Sequence, residues 1–129
     1  MHRNKHGSQY FTLVGGRAND DETPEQTLAR EVMEETGLKI TKSQFVFYEE
    51  HPAPYNEQYI YLCEVSNAGE MAIQELSEEG RMNKLGANMH TPLWVEISAF
   101  ARLPFRTPQL QDAIVQGFKK GFPAEPVRL

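Results

Sequence analysis

The sequence has few of the features that mark secreted, membrane-spanning or nucleic-acid-binding proteins. A single cysteine, Cys63, stands among 129 residues, so no internal disulfide forms, and a reduced thiol predicts a cytoplasmic protein. The apolar runs are far shorter than the roughly 20 residues that span a membrane, and a signal-peptide pattern is lacking. With 13 lysine and arginine against 18 aspartate and glutamate residues, the net charge is −5. Scattered cations on an acidic chain argue against a nucleic-acid partner.

The length of the chain predicts one domain. A length of 129 residues suffices for one hydrophobic core but not for two, so a single domain over residues 1–129 is expected. Strands are predicted over residues 9–14, 44–50, 58–65 and 92–97, and helices over residues 98–103 and 108–120.

A further helix is predicted between residues 23 and 37, and both of its ends are marked. Thr23 is a good N-cap, Pro24 suits the first turn, and Gln26 completes a capping box with Thr23. Gly37 predicts the end of the helix, because glycine adopts the left-handed conformation that terminates helices.

Three carboxylates share one face of this predicted helix. Glu31, Glu34 and Glu35 stand at positions i, i+3 and i+4, so they lie within one turn and repel one another. A divalent cation would offset that repulsion, because carboxylate oxygens are hard ligands suited to Mg²⁺ or Mn²⁺. Taken alone, such a run is better explained as a solvated acidic face. Here a glycine pair and an acidic loop precede the capped helix, and this context favours a metal site.

The whole segment GRANDDETPEQTLAREVMEETGL, residues 16–38, resembles the Nudix box. Average residue usage makes such a match by chance on the order of one in a billion per starting position. The chain is therefore similar to the Nudix hydrolases, which cleave nucleoside diphosphates linked to another group. The resemblance implies an α/β/α sandwich with a mixed sheet. Nine positions carry it: Gly16, Glu22, Arg30, Glu31, Glu34, Glu35 and Gly37, with the aliphatic Val32 and Leu38.

The resemblance also implies a metal site. Glu34 and Glu35, together with Glu31, would hold Mg²⁺, with Mn²⁺ as an alternative. A backbone carbonyl at Gly15 would complete the protein ligands, at the point where the strand over residues 9–14 ends in two glycines.

The implied reaction is substitution at phosphorus by water. Relatives differ in the general base, which corresponds here to Glu31 or to an acid in a later loop, Glu78 or Glu79; that loop is equally well explained as solvated charge. Arg30 is expected to position the site by pairing with Glu34 one turn on. Glu22 is expected to orient the site, with a weaker case as a metal ligand.

The N-terminal residues depart from the family pattern. Members usually carry a further strand before the segment matching QYFTLVGG, whereas MHRNKHGS is expected to be too short and too polar to supply one. Three explanations stay open: a truncated chain, a start that lies upstream, or a strand from another subunit. An exposed sheet edge invites pairing, so a homodimer is a hypothesis.

Substrate identity is only weakly indicated. Arg3 is a candidate for a substrate phosphate, and Pro54 and Tyr55 resemble conflicting cues from ADP-ribose and dinucleoside polyphosphate cleavers. Five aromatic residues are candidates for stacking on a base, although each is more simply explained as core: Phe11, Tyr48, Tyr55, Tyr59 and Trp94. The four histidines show no ligand spacing and are expected at the surface: His2, His6, His51 and His90.

Three functions are consistent with the sequence. The first is a Mg²⁺-dependent pyrophosphohydrolase of (d)NTPs, including oxidised ones. The second is a hydrolase of ADP-ribose, nucleotide sugars or dinucleotides, with the same chemistry and a different pocket. The third is a nucleotide-sensing module without turnover, which the complete set of box glutamates disfavours.

Overall fold

A computed structural model describes residues 1–5, 7–52, 56–66 and 88–129 of the chain. The elements follow in the order β1 (His2–Lys5), β2 (Ser8–Phe11), α1 (Pro24–Thr36), β3 (Ile40–Glu50), β4 (Glu57–Val65), β5 (Asn88–Thr91), α2 (Ile97–Phe100), α3 (Pro108–Lys120) and β6 (Val127–Arg128).

The first sheet has the strand order β2-β1-β5 and is antiparallel throughout. The expectation that the N-terminal residues form no strand is therefore wrong, because His2–Lys5 supplies the central strand of this sheet. Polar residues form a strand here because both neighbours satisfy its backbone groups. The sheet continues beyond β2 through a parallel bridge between Phe11 and Phe105. The homodimer hypothesis assumed that this strand was missing, so its basis is removed.

The second sheet is mixed, with the order β4-β3-β6. β3 and β4 form a long antiparallel hairpin, and the short β6 pairs with β3 in parallel. The predicted strands over residues 44–50 and 58–65 are confirmed within β3 and β4.

The hydrophobic core lies between the second sheet and α3. Val46 and Phe47 of β3 and Ile60 of β4 pack with Leu110 and Ile114 of α3. β3 is irregular between Phe45 and Phe47, which lets both Val46 and Phe47 reach this core. In the regular part of β4 adjacent residues point to opposite faces, so Tyr61 projects away from the core. Its hydroxyl donates to Glu25 Oε1 of α1 at 3.1 Å. Helices α1 and α3 therefore lie on opposite faces of the second sheet.

Two predictions from local sequence are corrected. Residues 92–97 do not form a strand: β5 ends at Thr91, and Ile97 begins the short helix α2. The strand expected over residues 9–14 ends at Phe11. The helix over residues 108–120 is confirmed as α3. No helix in the described part of the chain is long and apolar enough to cross a membrane.

Candidate active site

Helix α1 begins and ends where its capping residues predict. Thr23 Oγ1 accepts a hydrogen bond from Gln26 N at 3.2 Å, and Gln26 Oε1 accepts one from Thr23 N at 2.9 Å. At the other end Gly37 is left-handed, with φ of 76°, and its N–H donates to Met33 O. These local interactions fix where α1 begins and ends.

The glycine pair after β2 lies directly against two of those acids. Gly15 N donates to Glu35 Oε2 at 2.7 Å. A Cβ placed on Gly16 would lie within 2.6 Å of both carboxylate oxygens of Glu31, closer than packed atoms approach. Both carboxylates are nearly buried, with Glu31 6% and Glu35 3% exposed. The absence of a side chain at Gly16 is therefore what lets the Glu31 carboxylate reach the backbone.

Arg30 ties the acidic loop to the acidic face of α1. Its Nε and Nη2 donate to the two oxygens of Glu22 at 2.8 and 2.9 Å. Its Nη1 donates to Glu31 Oε1 at 2.9 Å and to Glu34 Oε2 at 3.2 Å, the latter being the pair that the four-residue spacing predicted. Nη2 also reaches Arg17 O at 2.9 Å. One guanidinium thus fixes three carboxylates and the loop backbone.

The ion pair between Arg30 and Glu22 keeps both side chains charged. The hydrogen bond from Arg30, followed by one from the Asn19 backbone N–H at 2.7 Å, holds the pKa of Glu22 at about 2, below its usual 4.5. The same pair raises the pKa of Arg30, so the guanidinium stays charged.

The donor set suits a hard divalent cation. Glu31 and Glu34 both accept from the same nitrogen of Arg30 and so lie side by side, and Glu35, the residue after Glu34, accepts from the Gly15 backbone. Mg²⁺ is bound in proteins by a few carboxylates together with water and substrate phosphates. As placed, no three His, Cys, Asp or Glu side chains in the described ranges form a closed metal cluster. The arrangement of the carboxylates and of the Gly15–Gly16 backbone suits a cation that also binds the substrate. It suits a site closed by protein ligands alone less well.

Of the other residues that the sequence suggests for catalysis or substrate binding, several lie outside the described part of the chain. Glu78, Glu79, Pro54 and Tyr55 lie outside the described residues. Arg3 lies in β1 of the first sheet, directly opposite Tyr10 and His90.

The aromatic and histidine candidates divide between core and surface. Phe11 packs against the core, as the simpler explanation expected. Tyr59 and Trp94 do not, since they are 46% and 55% exposed. Tyr48 and Tyr59 both lie against the ring of Phe45. The expectation of surface histidines is wrong for His90, which is 6% exposed.

Sequence reasoning missed the link between Tyr61 and α1. Burial, together with the hydrogen bond to Glu25, raises the pKa of Tyr61 to about 12. The ring also stacks on Phe45 at a centroid distance of 5.2 Å. The two-residue spacing of Tyr59 and Tyr61 places both on one face of β4, but the contact with α1 depends on how helix and sheet pack.

Comparisons with known proteins identify the family to which the chain belongs. The NUDIX domain model matches residues 1–115, and the chain belongs to this family. It is 35% identical over 78 residues to the NAD-capped RNA hydrolase NudC of Citrobacter koseri, which covers 59% of this chain and 30% of that protein. Over 69 residues it is 35% identical to NudC of Salmonella paratyphi C, covering 54% of this chain and 26% of the relative. Each match spans less than a third of the relative's own length.

A solved structure shows the same fold. It comes from a structural and functional study of MutT from Aliivibrio salmonicida and Vibrio cholerae. The two superpose with a TM-score of 0.55 at 20% identity, covering 89% of this chain and 80% of that one. The predicted α/β/α sandwich with a mixed sheet is thereby confirmed.

Proposed function

We propose that this chain is a divalent-cation-dependent pyrophosphohydrolase that cleaves a phosphoanhydride bond in a nucleoside diphosphate linked to another group. The observation that carries the proposal is the acidic face of α1. Glu31 and Glu35 are nearly buried there and in contact with the Gly15–Gly16 backbone, and Arg30 holds Glu31 beside Glu34. Keeping buried carboxylates charged is costly unless they are paired or coordinate a metal.

The residues of α1 would bind the cation and orient the attack. Glu34 and Glu35, with the Gly15 carbonyl, would hold Mg²⁺ or Mn²⁺. Glu31 is a further ligand in the alternative where Glu78 or Glu79 is the base. When bound, such a cation neutralises charge on phosphate oxygens and lowers the pKa of a water. Arg30 is a positioning residue, since it touches carboxylates on both the loop and the helix.

Glu31 is the general base favoured by the described residues. Arg30 Nη1 donates to its carboxylate, and the backbone of Gly16 packs against the other side of the same group. These two contacts restrain the position of the carboxylate. Glu22 acts through Arg30 and orients the site. Glu78 and Glu79 remain alternative bases.

Two substrate classes follow from the family. A (d)NTP, including an oxidised one, is the first. The second is a dinucleotide of the NAD type, or another nucleotide with a large second group, and the two NudC relatives favour it because they are hydrolases of NAD-capped RNA. A small nucleotide rather than a nucleic acid is expected from the charge of −5, and the single thiol suits the cytoplasm.

The deciding experiment measures product release from dNTPs, 8-oxoguanine nucleotides, ADP-ribose, NAD and dinucleoside polyphosphates. Each substrate is assayed with Mg²⁺, with Mn²⁺ and with chelator. Glu35→Gln keeps the shape and one acceptor for Gly15 N while removing a ligand charge, so turnover should fall by on the order of 100-fold. Glu64→Gln, at an exposed position on β4, is the matched control and should retain full turnover.

The outcomes separate the hypotheses. Metal-dependent turnover that Glu35→Gln abolishes supports the hydrolase, and the best substrate identifies the class. Near-normal turnover of Glu35→Gln at saturating Mg²⁺ would refute the assignment of Glu35. Tight nucleotide binding without any turnover would instead indicate the sensing module.

A further inference from the structure

β4 is an edge strand of the second sheet. In the described part of the chain this sheet has the order β4-β3-β6, so β4 pairs with β3 on one side and with no strand on the other. The backbone N–H and C=O groups on that open side are available for pairing with another chain. This open edge belongs to the second sheet, whereas the N-terminal strand β1 lies in the first.

The residues of β4 do not protect this edge. Edge strands of native proteins are usually short, or they carry proline, lysine or a bulge that prevents pairing. β4 is nine residues long, Glu57–Val65, and it contains no proline, lysine or arginine. Both irregularities in its pairing with β3 add their extra residue to β3, so β4 itself is continuous. Its two charges stand near its ends, at Glu57 and Glu64, and the residues between them are uncharged.

The sequence of β4 is complementary to itself in antiparallel pairing. If Tyr61 lies on a two-fold axis perpendicular to the sheet, all nine residues pair, and each side chain meets one on the same face of the sheet. Neither glutamate then faces a second glutamate, and this matters because directly opposed like charges destabilise a strand pair. The pairs are Glu57 with Val65, Gln58 with Glu64, Tyr59 with Cys63, and Ile60 with Leu62 of the second copy.

Both faces of such a strand pair continue existing apolar clusters. On the face toward α3, Ile60 is part of the core and Leu62 packs against it. On the face toward α1, the ring of Phe45 lies 5.4 Å from that of Tyr59 and 5.2 Å from that of Tyr61, between centroids. Tyr59 is nevertheless 46% exposed. Pairing would therefore cover aromatic surface in addition to satisfying the backbone groups of the edge.

We propose that two copies of this chain associate through the open edge of β4, with Tyr61 on the two-fold axis. The second sheets of the two copies then form one continuous sheet, to which each copy contributes β4, β3 and β6. The interface is isologous, because the same strand serves on both sides. The inference is independent of the proposed function, since no residue of the acidic face of α1 takes part in the pairing.

A disulfide trap tests the register. Tyr59→Cys places a thiol directly opposite Cys63 of the second copy, where paired Cα atoms lie about 4.5–5.5 Å apart, within the range of a disulfide. Within one chain the two positions are about 13 Å apart along the strand, so an internal bond cannot form. With oxidised glutathione as the oxidant, Tyr59→Cys should form a covalent dimer on a non-reducing gel. Lys119→Cys, exposed on α3, is the control with the same number of thiols and should stay monomeric on that gel.

The mass in solution provides the second readout. Size-exclusion chromatography with light scattering, over a series of protein concentrations, should show twice the mass of the chain for wild type at the upper end. Tyr59→Lys introduces a charge at two symmetric positions of the interface and should weaken association by about 10-fold. Phe118→Lys is the matched control, because it changes an aromatic residue of similar exposure, 48%, on α3. It should leave the association unchanged, and melting temperatures show that both variants fold.

The outcomes are distinct. A wild-type chain that stays monomeric throughout the series would overturn the proposal, as would a dimer that Tyr59→Lys leaves intact. Equal cross-linking of Tyr59→Cys and Lys119→Cys would also overturn it. Rapid covalent dimer formation by wild type would place Cys63 opposite itself and overturn the pairing centred on Tyr61. If Tyr59→Lys does not fold, the disulfide trap decides alone.

Discussion

Gly16→Ala should damage catalysis far more than folding. The added Cβ would lie 2.5 and 2.6 Å from the two oxygens of Glu31, so the carboxylate must move by about 1 Å to reach an ordinary contact distance. Glu31 is flexible enough to move without its backbone, and Gly16 is not in the left-handed region, so alanine is tolerated there conformationally.

The structure sets the size of both effects. Moving the carboxylate weakens the 2.9 Å hydrogen bond from Arg30 Nη1, which costs about 0.5–1.5 kcal/mol of stability. For a chain of 129 residues each kcal/mol shifts the melting temperature by about 4 °C. A misplacement of 1 Å in a catalytic group, by contrast, lowers turnover by about 100-fold.

Gly15→Ala is the matched control. A Cβ at Gly15 meets nothing within 4 Å, and alanine keeps both the N–H that binds Glu35 and the carbonyl. We therefore expect near-wild-type kcat and melting temperature for Gly15→Ala, measured beside Gly16→Ala with the best substrate at saturating Mg²⁺. If Gly16→Ala keeps full kcat, or if both variants lose it equally, the placement of Glu31 against Gly16 does not determine activity.

Three further predictions concern stability. Glu22 has a folded pKa of about 2 against 4.5 in the unfolded chain, so its contribution is present above about pH 4.5 and is lost as the pH falls toward 2. In urea unfolding between pH 2 and 7, wild type should therefore lose more stability at acid pH than Glu22→Gln, and parallel curves would contradict this. Thr23→Ala removes the cap of α1 and should cost about 1 kcal/mol. Thr107→Ala should cost about 1–3 kcal/mol more, because Thr107 caps α3 and its hydroxyl also donates to Glu49, which is only 5% exposed; equal costs in urea unfolding would show that the contact with Glu49 adds nothing to the cap.

The helices were predictable from the sequence because their signals are local. Thr23 with Gln26 and Gly37 bound α1, and Pro108 opens α3 one residue after its cap, so a few neighbouring residues contain the information. The polar strand β1 was missed for the opposite reason. It forms because β2 and β5 satisfy its backbone on both edges, and β5 is more than 80 residues away along the chain.

In the candidate site, too, some features follow from the sequence and others depend on tertiary packing. The identity of the acids and the face they share follow from helical spacing, and so does the pair between Arg30 and Glu34. The contact of Glu31 with Gly16 and the hydrogen bond from Tyr61 to Glu25 depend on how strands and helices pack. Spacing along the chain carries no information about such contacts.

The contacts made by Arg30 also have an entropic consequence. An unrestrained glutamate side chain loses about 1.5–2 kcal/mol of rotamer freedom when it is ordered. Because Arg30 binds Glu22, Glu31 and Glu34 within the folded chain, that loss occurs on folding. An arriving substrate meets side chains that are already restrained, so the disorder lost on binding is mainly that of the substrate itself.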